Sequence, residues 1–380
     1  MISPSLWPQQ PFKAIFIIFR VSSLVVLLPY WYIYYAFPSL RPRRSWNLNE
    51  AVMVRLIHWM MPINWKCKLN LLSFDKARQL SQSELKESSF IWLNPVEPHL
   101  VQGPAKHEKI KPMRIPGYVW PKFGDFVAYN GLVGLFMHGG GYMMGNASET
   151  YGELRIVRDL HKISEIKMIL SVDYRLIHEG SHPAQLIDAL SAYAYLVNVA
   201  KVDPSRIVIM GACAGGHLAL MLARYLHDEK ILPMPAGIML FSPWLDMVID
   251  GKIEQGTAAE RPNTDIDLLN TSYVVNLRFL GHHSEELFSS PLLSGNLAPT
   301  GSYVGYPKTF ISIGECEAWR MENEQLRDAM VRDGVDVTLD MQEDAVHDFW
   351  GFGDIVPSKK ARAQVARNAV DWISSLRRSS

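Results

Sequence analysis

From Gly131 onward, short apolar runs alternate with longer segments whose apolar residues recur at helical spacing. The runs Leu132–Met137, Lys167–Val172, Ile207–Met210, Ala236–Phe241, Thr309–Ile313 and Val335–Met341 predict strands. Tyr151–Lys162, Pro183–Val199, His217–Leu226, Glu322–Arg332 and Ser358–Leu376 predict helices. Strands that are apolar throughout must be covered on both faces, so the pattern calls for an α/β protein with a mainly parallel sheet between helical layers. Ligands in such sheets gather at the carboxyl ends of the strands. The segment Asp250–Phe288 breaks the alternation and reads as a helical lid over that edge.

The amino-terminal pattern is different. Phe12–Phe37 is almost wholly apolar or aromatic, interrupted by Arg20 and Pro29, and exceeds the roughly 20 residues that cross a hydrocarbon core. Tyr30, Trp31, Tyr32, Tyr34 and Tyr35 suit a headgroup interface, and Arg41, Arg43 and Arg44 follow before any acidic residue. This predicts a single membrane anchor, with the body of the chain on the cytosolic side and the endoplasmic reticulum as the expected membrane. A cleaved signal peptide, an interfacial helix and a buried cap helix use the same residues and remain as rivals. Residues 46–130 hold a helix near Asn49–Met61, a polar stretch at Ser73–Glu87 and then proline-punctuated extended pieces. The expected organisation is thus anchor and basic linker (1–45), a region contributing to a cap (46–130), and a catalytic domain (131–380) with a lid at about 250–288.

Candidate chemistry centres on Val208-Ile-Met-Gly-Ala-Cys-Ala-Gly-Gly216, where a β-branched run meets a small-residue turn that opens a helix. In a nucleophile elbow, written Gly-x-Ser-x-Gly, glycines let strand and helix approach closely while the central side chain stands exposed above the sheet. Here that residue is Cys213. A second motif, His138-Gly-Gly-Gly-Tyr142, follows a predicted strand, and consecutive glycines let backbone N–H groups converge on one developing negative charge.

Composition excludes several classes. The 380 residues carry 38 basic and 38 acidic side chains, so no net field favours nucleic acid. Three cysteines, Cys67, Cys213 and Cys316, show no Cys-x-x-Cys spacing, which argues against a zinc site and a disulfide framework. No metal and no cofactor is expected. The pattern says nothing about oligomeric state.

Taken together, the chain resembles the hormone-sensitive-lipase family of α/β-hydrolases, especially its membrane-anchored fungal members. His138-Gly-Gly-Gly141, Val172-Asp-Tyr-Arg-Leu176, Pro183-Ala-Gln-Leu-Ile-Asp188, Asp203-Pro-Ser-Arg206, the elbow and Ser290-Pro-Leu292 occur in family order. Arg41-Pro-Arg-Arg-Ser-Trp46 resembles the linker that follows the fungal anchor. The resemblance implies an α/β-hydrolase fold with a helical cap. It selects His347, in Val346-His-Asp-Phe-Trp350, as the base and Glu317, in Gly314-Glu-Cys-Glu-Ala-Trp-Arg-Met-Glu322, as the acid that orients it, with Glu315 and Asp344 as competitors. His138 is expected to be structural.

One departure matters: the family elbow is usually Gly-Asp-Ser-Ala-Gly-Gly, and here it is Gly211-Ala-Cys-Ala-Gly-Gly216. A thiol beside a histidine and a helix amino terminus is a competent nucleophile. The expectation is a hydrolase or acyltransferase acting on an ester or thioester of a lipophilic small molecule, with Cys213, His347 and Glu317 as the catalytic set. Gly139, Gly140 and Ala214 are expected to hold the oxyanion, and Tyr142, Met143 and Met144 to line the substrate. Two other readings stay open: a non-hydrolytic condensation or cyclisation, and a silent ligand- or partner-binding descendant.

Overall fold

A computed structural model describes residues 8–67, 82–248, 265, 269–353, 356 and 359–376. Its centre is a sheet of eight strands: Ser89–Leu93 (β1), Ile115–Trp120 (β2), Val133–Met137 (β3), Met168–Val172 (β4), Ile207–Ala212 (β5), Gly237–Phe241 (β6), Lys308–Gly314 (β7) and Val337–Gln342 (β8). The order is β1-β2-β4-β3-β5-β6-β7-β8. β1 and β2 pair antiparallel, as do β2 and β4, and the other neighbours are parallel. Every residue of β3, β4, β5 and β6 is buried, which is why these strands are continuous apolar runs. The six predicted strands are all present. Residues 89–120, expected to contribute to a cap, instead supply two strands to the sheet itself.

The amino-terminal apolar run forms two nearly continuous helices, Phe12–Ser22 (α1) and Leu24–Tyr35 (α2). Together they give an apolar stretch of 24 residues, long enough to cross a membrane by length and composition. A third helix, Leu48–Lys66 (α3), starts at a capping box in which Asn47 and Glu50 satisfy each other's backbone N–H groups. It packs along both earlier helices. Arg20 is thereby accommodated: its guanidinium lies 4.0 Å from the Trp59 ring centroid and donates to the Trp59 carbonyl at 2.9 Å.

Arg155–Ile163 (α4), Ala184–Ala194 (α5), Ala214–Glu229 (α6), Leu269–Leu280 (α7), Arg320–Arg332 (α8) and Lys359–Leu376 (α9) complete the helical layers. Two apolar clusters fill the space on the two sides of the sheet. One holds α5, α6 and α8 side chains such as Leu190, Leu222 and Leu326. The other holds Ile156, Val365 and Ile373 together with Trp31, Tyr35 and Trp46 of the amino-terminal region. The basic stretch is no free linker. Arg41 donates to the carbonyls of Tyr35 and Trp46, and Trp46 Nε1 donates to the Asp344 carbonyl at 2.8 Å. Of the expected lid, α7, Asp265 and the 281–288 turn are described; residues 249–264 and 266–268 lie outside the described residues, as do 68–81 of the polar stretch.

Candidate active site

β5 ends at Ala212, α6 begins at Ala214, and Cys213 alone makes the turn, with φ +50° and ψ −117°. Two positions away on either side, no side chain larger than hydrogen fits. A Cβ on Gly211 would run into the Gly215 carbonyl, and one on Gly215 into the carbonyls of Met137 and His138. The strained residue is held by its backbone: its N–H donates to Phe241 O at 2.9 Å, and its carbonyl accepts from His217 and Trp244 N–H, both at 3.1 Å. Its side chain sits at the carboxyl edge of the sheet, 5% exposed.

Two loops at the same edge deliver the other expected groups. Glu317 follows β7 and His347 follows β8; both are buried. Glu317 Oε2 lies 3.2 Å from His347 Nδ1, while Oε1 accepts from Ser242 Oγ and Gly314 N–H, each at 2.5 Å. Burial raises the carboxyl's pKa, and the bonds to His347 and Gly314 pull part of that rise back. For the imidazole, burial works toward a lower pKa. The charge and hydrogen-bonding of Cys213 and then of Glu317 outweigh it and hold His347 well above its ordinary value. Nε2 makes no well-formed hydrogen bond among the described residues, although Cys213 lies close enough to raise the pKa of the ring. Such bonds commonly tighten only when substrate is bound.

The competitors for the acid role are engaged elsewhere. Arg43 binds Glu315 and Asp344 at 2.5 Å each. His138 is structural as expected, stacked on Tyr174 at 4.3 Å with Nδ1 against the Gly139 carbonyl.

The glycine loop brings one correction. Gly139, expected to face an oxyanion, donates its N–H to Glu153 Oε2 at 2.5 Å. Among the described residues, no partner takes the N–H groups of Gly140, Gly141 or Ala214. Gly140 and Gly141 have φ of +103° and +60°, which only glycine adopts without strain. Tyr142 is a second correction. It is fully buried, stacks on Phe279 at 4.6 Å and pairs its hydroxyl with His217 Nδ1 at 2.6 Å, so it serves the core rather than a substrate surface. Met143 and Met144 remain partly exposed.

A strained residue between strand and helix, with loops from two further strands at the same sheet edge, suits an α/β-hydrolase fold, and comparison with known proteins supports that fold. A model described as the alpha/beta hydrolase fold matches residues 134–351. The chain belongs to the α/β-hydrolase fold family, on its hormone-sensitive-lipase-like branch. Relatives of this α/β-hydrolase include carboxylesterase NlhH of Mycobacterium tuberculosis, 27% identical over 63% of this chain and 72% of its own length. The versiconal hemiacetal acetate esterase of Aspergillus parasiticus is 33% identical over a shorter stretch, 34% of this chain and 40% of the relative. A solved hormone-sensitive lipase from a metagenome library superposes with a TM-score of 0.58 at 27% identity, covering 69% of this chain and 82% of that one.

Several residues of this α/β-hydrolase's site carry no sequence signal of their own. Ser242, with φ +44°, bridges the two loops, donating to Glu317 and accepting from Asp348 N–H at 3.0 Å. Asp265, from the lid segment, accepts from His347 N–H at 2.9 Å and Ala318 N–H at 2.8 Å. Lid, acid loop and histidine loop are therefore tied through one carboxylate. A cleft of about 650 Å³ lined by Asp203, Pro235, Lys308 and Asp336 lies at the amino ends of β5–β8, at the opposite edge from this chemistry.

Proposed function

We propose that this protein transfers or hydrolyses the acyl group of a lipophilic ester or thioester through Cys213, His347 and Glu317. The single observation that carries the reading is the alignment of Glu317 Oε2 on His347 Nδ1 at 3.2 Å, which leaves the opposite ring nitrogen for the sulfur. The esterase activities named for the relatives support the same class of reaction.

In the proposed cycle, His347 takes the thiol proton as the Cys213 sulfur bonds to the carbonyl carbon. The bond to the alcohol or thiol group then breaks, and His347 passes that group a proton. Water, an alcohol or an amine next yields a proton to His347, attacks the thioester and returns the sulfur. Glu317 fixes the imidazole tautomer and stabilises its charged form. Gly140 and Ala214, joined by Gly141 in place of Gly139, supply N–H donors to the developing oxyanion. Met143 and Met144 border the approach, and residues 12–35 attach the protein to a membrane with its catalytic part on the cytosolic face, so that the substrate arrives from an apolar phase.

Intact-protein mass spectrometry after incubation with short-chain esters and thioesters tests this. An acyl mass localised to Cys213 and absent from Cys213→Ala is the expected result. A second reading, condensation or cyclisation of a biosynthetic intermediate, is favoured by one observation: the Glu153 carboxyl already occupies the Gly139 N–H. Turnover that survives Cys213→Ala, with no adduct in the wild type, would establish that reading instead.

A further inference from the structure

The glycine loop and the histidine loop meet through two carboxyl groups that the triad does not use. Glu153 lies on the short turn before α4, and Asp348 follows His347; both are buried. Glu153 Oε2 takes the Gly139 N–H at 2.5 Å, and its carboxyl lies close enough to that of Asp348 for each to shift the other's pKa. A Cβ built on Gly351 would lie 2.7 Å from Asp348 Oδ1 and 2.8 Å from Glu153 Cγ, so the two acids crowd a single glycine. One built on Gly139 would collide with Glu153 Oε1 and lie 3.0 Å from Cys213 Cβ, which puts the pair beside the nucleophile. Asp348 Oδ1 is buried and meets no N–H or O–H among the described residues.

Ionised carboxylates only accept hydrogen bonds, so two of them bond to each other only with a proton between them. We propose that Glu153 and Asp348 share one proton and so clamp the glycine loop to the histidine loop, Glu153 acting as a positioning residue that keeps the Gly140 and Gly141 N–H groups aimed at the thiol. The assignment of the thiol as the reacting group rests on the reading above; the clamp itself does not. The surroundings favour the neutral acid. Burial and the neighbouring Asp348 raise the Glu153 pKa well above the carboxylate range. Burial likewise brings Asp348 up to about 6, against the pull of His347. The other titratable groups facing the pair are Cys213, Glu317, Tyr151 and Tyr174. Loss of the shared proton leaves two like charges in a dry interior, and the loops part.

Two measurements on the full-length protein test the clamp. The first is Tm against pH, which needs no acyl chemistry. Both acids bind protons more tightly in the folded state, so their contribution is full at low pH and is lost as pH rises through their folded values. Glu153→Gln keeps both hydrogen bonds without a titrating proton, so wild-type Tm should fall relative to Glu153→Gln as pH rises, and Asp348→Asn should behave like Glu153→Gln. A Tm difference that does not change with pH would overturn the proposal.

The second measurement is the rate at which iodoacetamide and a short-chain p-nitrophenyl ester modify Cys213 across the same pH range. Glu153→Ala should slow ester modification by about 10²-fold, the usual penalty for a misplaced site. Glu153→Gln should restore most of that loss and abolish the alkaline decline. Absence of an ester adduct in wild type, with the Tm result intact, would sink the acyl-transfer reading and leave the clamp standing. Equal rates in Glu153→Ala and Glu153→Gln at every pH would sink the positioning role.

Discussion

Glu317 Oε2 and His347 Nδ1 stand 3.2 Å apart, each buried, on loops after adjacent parallel strands. Replacing the carboxylate by an amide keeps the volume but lets the imidazole take the wrong tautomer. Glu317→Gln should therefore lower kcat by about 10⁴-fold, as for comparable triads, while iodoacetamide still reaches Cys213. A steady-state assay beside an alkylation assay checks it, and equal losses in both would point to misfolding instead.

His347 makes stability depend on pH. Its folded pKa is raised because Cys213 and Glu317 outweigh the cost of burial. A proton held more tightly in the folded state stabilises fully below the unfolded value of about 6.5 and ceases to do so as pH climbs through the folded value. Wild-type Tm should accordingly decline relative to His347→Gln above roughly pH 6.5. The Glu153–Asp348 pair works in the same direction, so the two sites are separated by measuring the variants singly and together.

The elbow tolerates no extra methyl group at its back. Gly215→Ala drives a Cβ into two backbone carbonyls, Met137 O and His138 O, neither of which can rotate away. The expected loss is about 3 kcal/mol, read by urea unfolding, and Gly152→Ala, where open space surrounds the added carbon, is the control.

The contact between the amino-terminal region and the histidine loop divides into packing and charge. Trp46 is 2% exposed among Val346, Phe349 and Trp350, so Trp46→Ala should cost about 3–5 kcal/mol. Arg43 is partly exposed, and Arg43→Ala should cost under about 1 kcal/mol per ion pair. Because it releases Glu315 and Asp344 beside the acid and the base, it should still lower kcat. Tm and kcat measured on both variants check this division.

The parallel core was legible because β3 to β6, covered on both faces, can only be apolar runs. β2 was not: Pro116 and Gly117 lie within it and argue locally against a strand. The proposed nucleophile, acid and base came from motif order, and Cys213, Glu317 and His347 each follow the carboxyl end of a strand, with a loop signature of their own. Tyr142 misled because φ +58° turns a residue of the glycine loop inward. The Glu153–Asp348 contact joins positions far apart in the chain, and no pattern in the sequence points to it.

Trp31, Tyr35 and Trp46 share one apolar cluster with Val346, Phe349 and Trp350, the residues flanking the base. If residues 12–35 lie in a bilayer, the enzyme has no swivel between lipid and catalyst. The same mouth would face the same lipid depth on every turnover, and a bend forced on the amino-terminal helices would be felt directly at the imidazole.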